Sequence, residues 1–359
     1  MCEQFILKIG EIHTYRTGSF GWPRGFEACL RAPDGTIYLP EMHKSVDKGK
    51  TVTSHENADA NAVSILHMPE GVVLSRSGLF LALDEYAYYR SPDLYEVKAW
   101  RSTDDDLRSM TVEQSLIRVP NGPKRSRKPG EWFGLYLFRT ILELSDGTLL
   151  ATVEGSLDSD RVFPTGRRDR AELTDSPKLR TFIISSQDQG RNWQYLSSVA
   201  VPQEDDQAVG EGFAEPSLVR LDNGQLLCVM RSGNYTPLYQ CWSSDDGKTW
   251  SEPVYTGLER GVDPCLIRLV DGRLLLAYGL RYPAGSCGGS SEDGVGASLI
   301  ELAISQDGTG RTWSNPVTIG SGIYGTYPTI FEVEPNLIFC HAGPCYWRIM
   351  LMPRIPDTL

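Results

Sequence analysis

The chain has 359 residues, 40% hydrophobic and 23% charged, an ordinary globular composition with length enough to bury a large core. Its 35 Lys and Arg against 46 Asp and Glu leave a formal charge of -11, which argues against a nucleic-acid partner, since that affinity rests on neutralising phosphate. No run of 18 uncharged apolar residues occurs, so no helix is expected to cross a membrane and no membrane partner is expected.

Gly 35 and Pro 22 make up about one residue in six and are spread evenly along the chain. Evenly spaced turns imply many short strands and an all-β repeat architecture. The opening Met1-Cys-Glu-Gln-Phe-Ile-Leu-Lys-Ile-Gly10 lacks the basic-then-apolar pattern of a secretory leader, so a cytoplasmic location is expected, with a mature secreted form as the alternative. Eight cysteines contain no CxxC pair; Cys29, Cys228, Cys265 and Cys340 sit in apolar runs and are expected as reduced core thiols.

Taken in chain order, the strongest pattern is a repeated hairpin. Cys29-Leu-Arg-Ala-Pro-Asp-Gly-Thr-Ile-Tyr38 opens the series. Ile141–Leu150, Leu218–Leu227 and Leu266–Leu275 follow, each with Asp-Gly or Asn-Gly between apolar residues, and Ile330–Ile338 is a degenerate last copy. Such dipeptides predict tight hairpins in which both turn residues take positive φ. A second motif follows the hairpins: Ser186-Gln-Asp-Gln-Gly-Arg-Asn-Trp193 and Ser243-Ser-Asp-Asp-Gly-Lys-Thr-Trp250 read S-x-D-x-G-x-x-W. Ser305–Trp313 has one residue inserted, and Ser102-Thr-Asp-Asp-Asp106 is a decayed copy. Asp accepts backbone N–H bonds, Gly takes the left-handed position and Trp packs across the hairpin. The Trp spacing gives a unit of about 60 residues, so six four-stranded units fill the chain, the signature of a six-bladed β-propeller. Residues 1–359 are therefore expected as one domain, with a strand at about 4–16 completing the last blade beside Tyr346–Met352.

Propeller chemistry is expected where the innermost strands begin. Alignment on the turn glycines 35, 147, 224 and 272 brings Glu215-Pro216, Asp263-Pro264 and Tyr327-Pro328 into register, with Phe138-Arg139 and Phe26-Glu27 at the equivalent places. Acids, an arginine and a tyrosine thus recur at one structural position.

These S-x-D-x-G-x-x-W turns resemble the Asp-boxes, or BNR repeats, of the sialidase-like propeller superfamily, a likeness covering most of residues 20–345. The segment Glu215-Pro-Ser-Leu-Val-Arg-Leu-Asp-Asn-Gly-Gln-Leu-Leu-Cys-Val-Met-Arg231 is similar to the sialidase pattern of a Glu opening an inner strand and an Arg closing the next. The resemblance implies an exo-acting glycoside hydrolase that cleaves a terminal acidic sugar, sialic acid first, from a glycan. It implies Tyr327 as nucleophile with Glu215, and an acid/base Asp about two dozen residues past Arg24. By spacing that is Asp47, with Asp59 in reserve. The implied carboxylate clamp is Arg24, Arg231 and a third arginine, either Arg281 or Arg139. The family's Arg-Ile-Pro reads Arg24-Gly-Phe here, and no mouth arginine stands thirty residues before Tyr327.

The residue types suit the chemistry. A carboxylate nucleophile is repelled by a substrate carboxylate, whereas a neutral Tyr deprotonated by Glu as it attacks is not. Guanidinium groups clamp carboxylates bidentately. No cofactor and no metal are expected. Two other readings stand beside this one: a lyase or glycosidase for a uronic sugar, with His43 or His55 as base beside Tyr327, and a non-catalytic glycan-binding propeller. The loop holding His43, Asp47, His55 and Asp59 is expected to cover substrate. The basic run Lys124–Lys128 is expected to be solvated, and Tyr86, Tyr88, Tyr89, Tyr95 and Trp100 suit either sugar stacking or core packing.

Overall fold

The computed structural model describes residues 7–14, 29–39, 43–54, 72–126, 134–163, 177–204, 210–233, 236–283, 295–321, 327–343 and 345–352. They are all-β, with no helix among them. Three antiparallel sheets have four strands in sequence order, spanning 30–54, 214–255 and 261–321. Two further meanders, 72–118 with five strands and 136–200 with four, merge through parallel contacts at both edges, Thr140 against Val73 and Leu116–Arg118 against Asn192–Gln194. A closing sheet is built from Thr329–Glu334, Leu337–Ala342 and Cys345–Leu351. The early strands Leu7–Ile9 and His13–Thr14 add to its last member, with Leu7 opposite Leu351 and His13 opposite Tyr346.

The hairpin turns differ from the expectation in one respect. Only the glycine of each turn, Gly35, Gly147, Gly224 and Gly272, has positive φ, at 84–90°, and each donates its N–H to the carbonyl three residues back. This is a type I turn followed by a left-handed residue, which needs glycine once rather than positive φ twice. In the closing sheet Asn336, at φ 63°, takes that place, which is why the repeat persists there without its glycine.

The core lies between the sheets as well as within them. Leu30, Tyr38, Phe80 and Trp100 join the first sheet to the 72–118 meander. Leu81, Val97, Leu149 and Trp193 join that meander to the next. Ile183 and Phe213 meet Cys228 and Met230, and Val229 and Trp242 meet Leu276 and Trp313. Leu275 and Ile304 meet Ile338 and Trp347, and Ile37 and Leu39 meet Val333 and Phe339. Each sheet therefore packs on its sequence neighbour, and the last packs on the first. Buried Cys29, Cys228, Cys265 and Cys340 are free thiols in these layers.

First strands of neighbouring sheets lie side by side. The Leu218 N–H meets Thr140 Oγ1 at 3.4 Å, and the Leu266 N–H donates to Ser217 Oγ at 3.0 Å. All first strands begin at one end, the mouth, and finish at the hairpin turns at the other.

Candidate functional site

Near the mouth the inner strands are irregular at the same place. Pairing slips between Leu137 and Ile141, between Ala214 and Ser217, and between Val262 and Cys265. At each slip a residue other than glycine has positive φ: Arg139 at 55°, Glu215 at 48° and Asp263 at 54°. Left-handed backbone costs an L-residue about 1–2 kcal/mol, so three such positions side by side need compensation from their surroundings. Bulges of this kind re-aim side chains at the ends of strands.

The compensation is a chain of charged contacts running from sheet to sheet. Glu154 Oε2, at the end of the second strand of the 136–200 meander, accepts the Glu215 N–H at 2.6 Å. Glu215 Oε2 in turn accepts the Asp263 N–H at 2.7 Å. Arg139 closes the set: its Nη2 lies 2.8 Å from Asp263 Oδ1, and its Nε donates to the same oxygen at 3.1 Å. Arg231 is 1% exposed, with Nε 2.9 Å from Glu215 Oε2 and Nη1 3.1 Å from Glu211 Oε2. Burial works against its charge, but Glu215, then Glu211, Tyr327 and Glu154 outweigh it and hold the guanidinium above its ordinary pKa.

Tyr327 precedes the first strand of the closing sheet and is half-buried, within electrostatic reach of Arg231. Counting back from Asn336 places Tyr327 at the register position that Glu215 holds before Gly224, nine residues in each case. Tyr327, Glu215, Arg231, Asp263 and Arg139 thus share one site. The contacts of Glu215 with the Asp263 N–H and with Arg231 Nε both fall on Oε2.

Asp47 lies elsewhere. It follows His43–Ser45, a strand running away from the mouth, and Lys48 beside it bonds Glu334 at the turn end of the closing sheet, Nζ to Oε1 2.6 Å. Asp47 Oδ1 accepts the Ser45 hydroxyl and the Thr51 N–H, each at 2.9 Å, and Oδ2 accepts the Thr51 hydroxyl at 2.7 Å. Ser243, Asp245 and Thr249 make the same bonds. Burial is the largest single influence on Asp47 and raises its pKa, but the bonds from Thr51 and Ser45 together outweigh it and pull the carboxyl down to about 2. So acidic a group, at the far end from Tyr327, is unsuited to protonate a leaving group there. Ser45-Val-Asp-Lys-Gly-Lys-Thr51 is one of the repeated turns, unrecognised because Val52 stands where its counterparts carry Trp.

Arg24, Glu27, Asp59 and His55 lie outside the described residues. Arg281 falls in the strand Leu274–Pro283, two residues past Gly279, the register equivalent of Arg231. Glu154 and Glu211 escaped the sequence reading. A signal for Glu154 existed: it stands seven residues after Gly147, as Arg231 does after Gly224. The aromatic group splits, with Tyr95 and Trp100 in the core. Tyr88 is 47% exposed beside a cavity of about 590 Å³ that Arg90, Glu96 and Lys98 also line. Among the described residues no group of His, Cys, Asp and Glu is arranged to hold a metal ion.

Sheets that repeat every 60 residues or so, with serine–aspartate turns at one end and a charged cluster at the other, define a BNR-type repeat protein. The chain belongs to the BNR repeat-like domain family, whose model matches residues 44–339. It is 26% identical over 319 aligned positions to a sialidase of Vibrio cholerae serotype O1, a match covering 83% of this chain. The chain spans only 37% of that protein's length. Among solved structures, a Dyadobacter fermentans protein of unknown function superposes with a TM-score of 0.61 at 17% identity, covering 96% of this chain and 99% of that one. The Hadza microbial sialidase Hz136 gives 0.58 at 15% identity, covering 92% and 66%. The α-L-arabinanase of Penicillium chrysogenum gives 0.52 at 15% identity, covering 97% and 99%. At these identities the structures speak for the fold.

Proposed function

We propose that this chain is an exo-acting, sialidase-like glycoside hydrolase on a six-bladed propeller, cleaving a terminal acidic sugar from a glycan. The observation carrying the reading is the meeting of Tyr327, from the closing sheet, with Glu215 and Arg231, from the 214–255 sheet, at the mouth. The six blades are the 30–54, 72–118, 136–200, 214–255 and 261–321 units and the closing sheet. Support for a closed ring comes from the apolar layer between each pair of neighbours, the last pair included.

In this reading Tyr327 Oη attacks the anomeric carbon while its proton passes to Glu215, and the glycosidic bond breaks as the leaving oxygen takes a proton from an acid. With Asp47 at the far end, Asp59 is the proposed acid. Water then releases the sugar from Tyr327 with the proton transfers reversed. Arg231, with Arg24 and Arg281, is the proposed clamp for the substrate carboxylate. The test is hydrolysis of an aryl sialoside: release of free sialic acid, abolished in Tyr327→Phe, is expected, and no release from the wild-type protein defeats the assignment.

One observation favours a sugar other than sialic acid. Both described mouth arginines are already ion-paired, Arg231 with Glu211 and Glu215 and Arg139 with Asp263, and Glu154 adds a further carboxylate. A glycosidase or lyase for another sugar, uronic or neutral, is the second reading. An unsaturated, ultraviolet-absorbing product would identify a lyase.

A further inference from the structure

Glu154 is a buried carboxylate at the mouth that the proposed chemistry does not use. Glu154 is 2% exposed, and its Oε2 bonds not to the Glu215 side chain but to the Glu215 backbone N–H. That N–H points at Glu154 because Glu215 is left-handed, in the bulge that frees it from pairing with its neighbouring strand. The bond is charge-assisted and short, of the stronger kind available to a backbone donor. The arrangement is directional. Glu154 holds the Glu215 backbone, and Glu215 Oε2 bonds the Asp263 N–H and is ion-paired with Arg231, so the Glu215 carboxylate is restrained from both sides.

We infer that Glu154 is a positioning residue, acting through the strained backbone of Glu215 to keep its carboxylate directed at Tyr327. The inference rests on the reading of Glu215 and Tyr327 as the reacting pair. Glu154 has two separable effects. Its oxygen accepts the N–H, and its negative charge stands near Glu215 together with the charges of Glu211, Asp263, Arg139 and Arg231 and the phenol of Tyr327. Removing a negative neighbour favours the ionised form of a carboxylate beside it.

Glu154→Gln keeps an acceptor oxygen and removes the charge, while Glu154→Met keeps the length and removes both. With the full chain and an aryl glycoside that the wild type hydrolyses, Glu154→Met is expected to lower kcat about 10²-fold with KM changed little, the loss typical of small misplacement. Glu154→Gln is expected to recover most of kcat, with the acid limb of its kcat/KM profile moved to lower pH. If Glu154→Met does not fold, the acid limb of Glu154→Gln still decides. An acid limb unmoved in Glu154→Gln, or a folded Glu154→Met with wild-type kcat, overturns the inference while leaving the parent reading intact, provided Glu215→Gln is inactive. A wild-type protein silent on the whole glycoside panel, or a fully active Glu215→Gln, overturns both.

Discussion

The two ends of the sheets both carry acidic residues in repeat, and they use them in opposite ways. At the turn end, Asp47, Asp188, Asp245 and Asp307 each accept bonds from groups two to four residues away, and each has its carboxyl pKa lowered from the ordinary value. At the mouth, Glu154 and Glu215 bond N–H groups 61 and 48 residues away, on the next sheet. A locally saturated carboxylate has little left to offer a ligand. One held by distant parts of the chain is placed only once neighbouring sheets have packed together.

The largest effect expected from this contrast is on catalysis. Glu215→Gln and Tyr327→Phe should each lower kcat about 10²–10⁴-fold with the thermal midpoint of Tyr327→Phe near wild type, read on whichever glycoside the wild-type protein cleaves. Equal losses from both, and no greater loss in the double variant, would show that the two act as a unit. Wild-type rates in either would separate the mouth cluster from the chemistry.

Next comes stability at the mouth. Arg231→Met leaves Glu215 and Glu211 facing each other without their shared cation, and breaking a buried pair in this way costs about 3–5 kcal/mol in urea unfolding. A deficit below 1 kcal/mol would mean that Arg231 is held less tightly than its burial implies.

The same contrast explains what could be read in advance. The all-β repeat was legible because Trp193, Trp250 and Trp313 mark successive turns and the hairpin glycines recur at matched distances. Glu215, Asp263 and Tyr327 were legible because Pro216, Pro264 and Pro328 mark the inner-strand starts. Asp47 misled because Val52 removes the tryptophan that labels such a turn, leaving an aspartate whose distance from Arg24 suited an acid. Glu154 was hidden for a different reason: its partner, the Glu215 N–H, becomes available only through a bulge, and no local motif announces a left-handed glutamate.

Asp47→Asn carries the contrast to its smaller end. It weakens the Ser45–Thr51 turn without reaching the mouth, so kcat should stay within about twofold of wild type while stability falls by about 1 kcal/mol, the usual worth of such bonds. A hundredfold loss of kcat in a folded Asp47→Asn would restore it as the acid.

The smallest effect expected is the pH dependence of the turn itself. Asp47 titrates at about 2 in the folded chain against an ordinary 3.8, so its contribution is fully present above about pH 4 and is lost as pH falls toward 2. Asp188, Asp245 and Asp307 are lowered in the same direction, so the turns should weaken together over that acid range. Comparing wild type with Asp47→Asn in urea at pH 7 and pH 2.5 isolates one of them. The difference between the two proteins should narrow at the lower pH, because protonation removes from the wild type much of what the substitution has already removed. A difference that stays constant would place the stabilising role of Asp47 in its shape and neutral hydrogen bonding rather than in its charge.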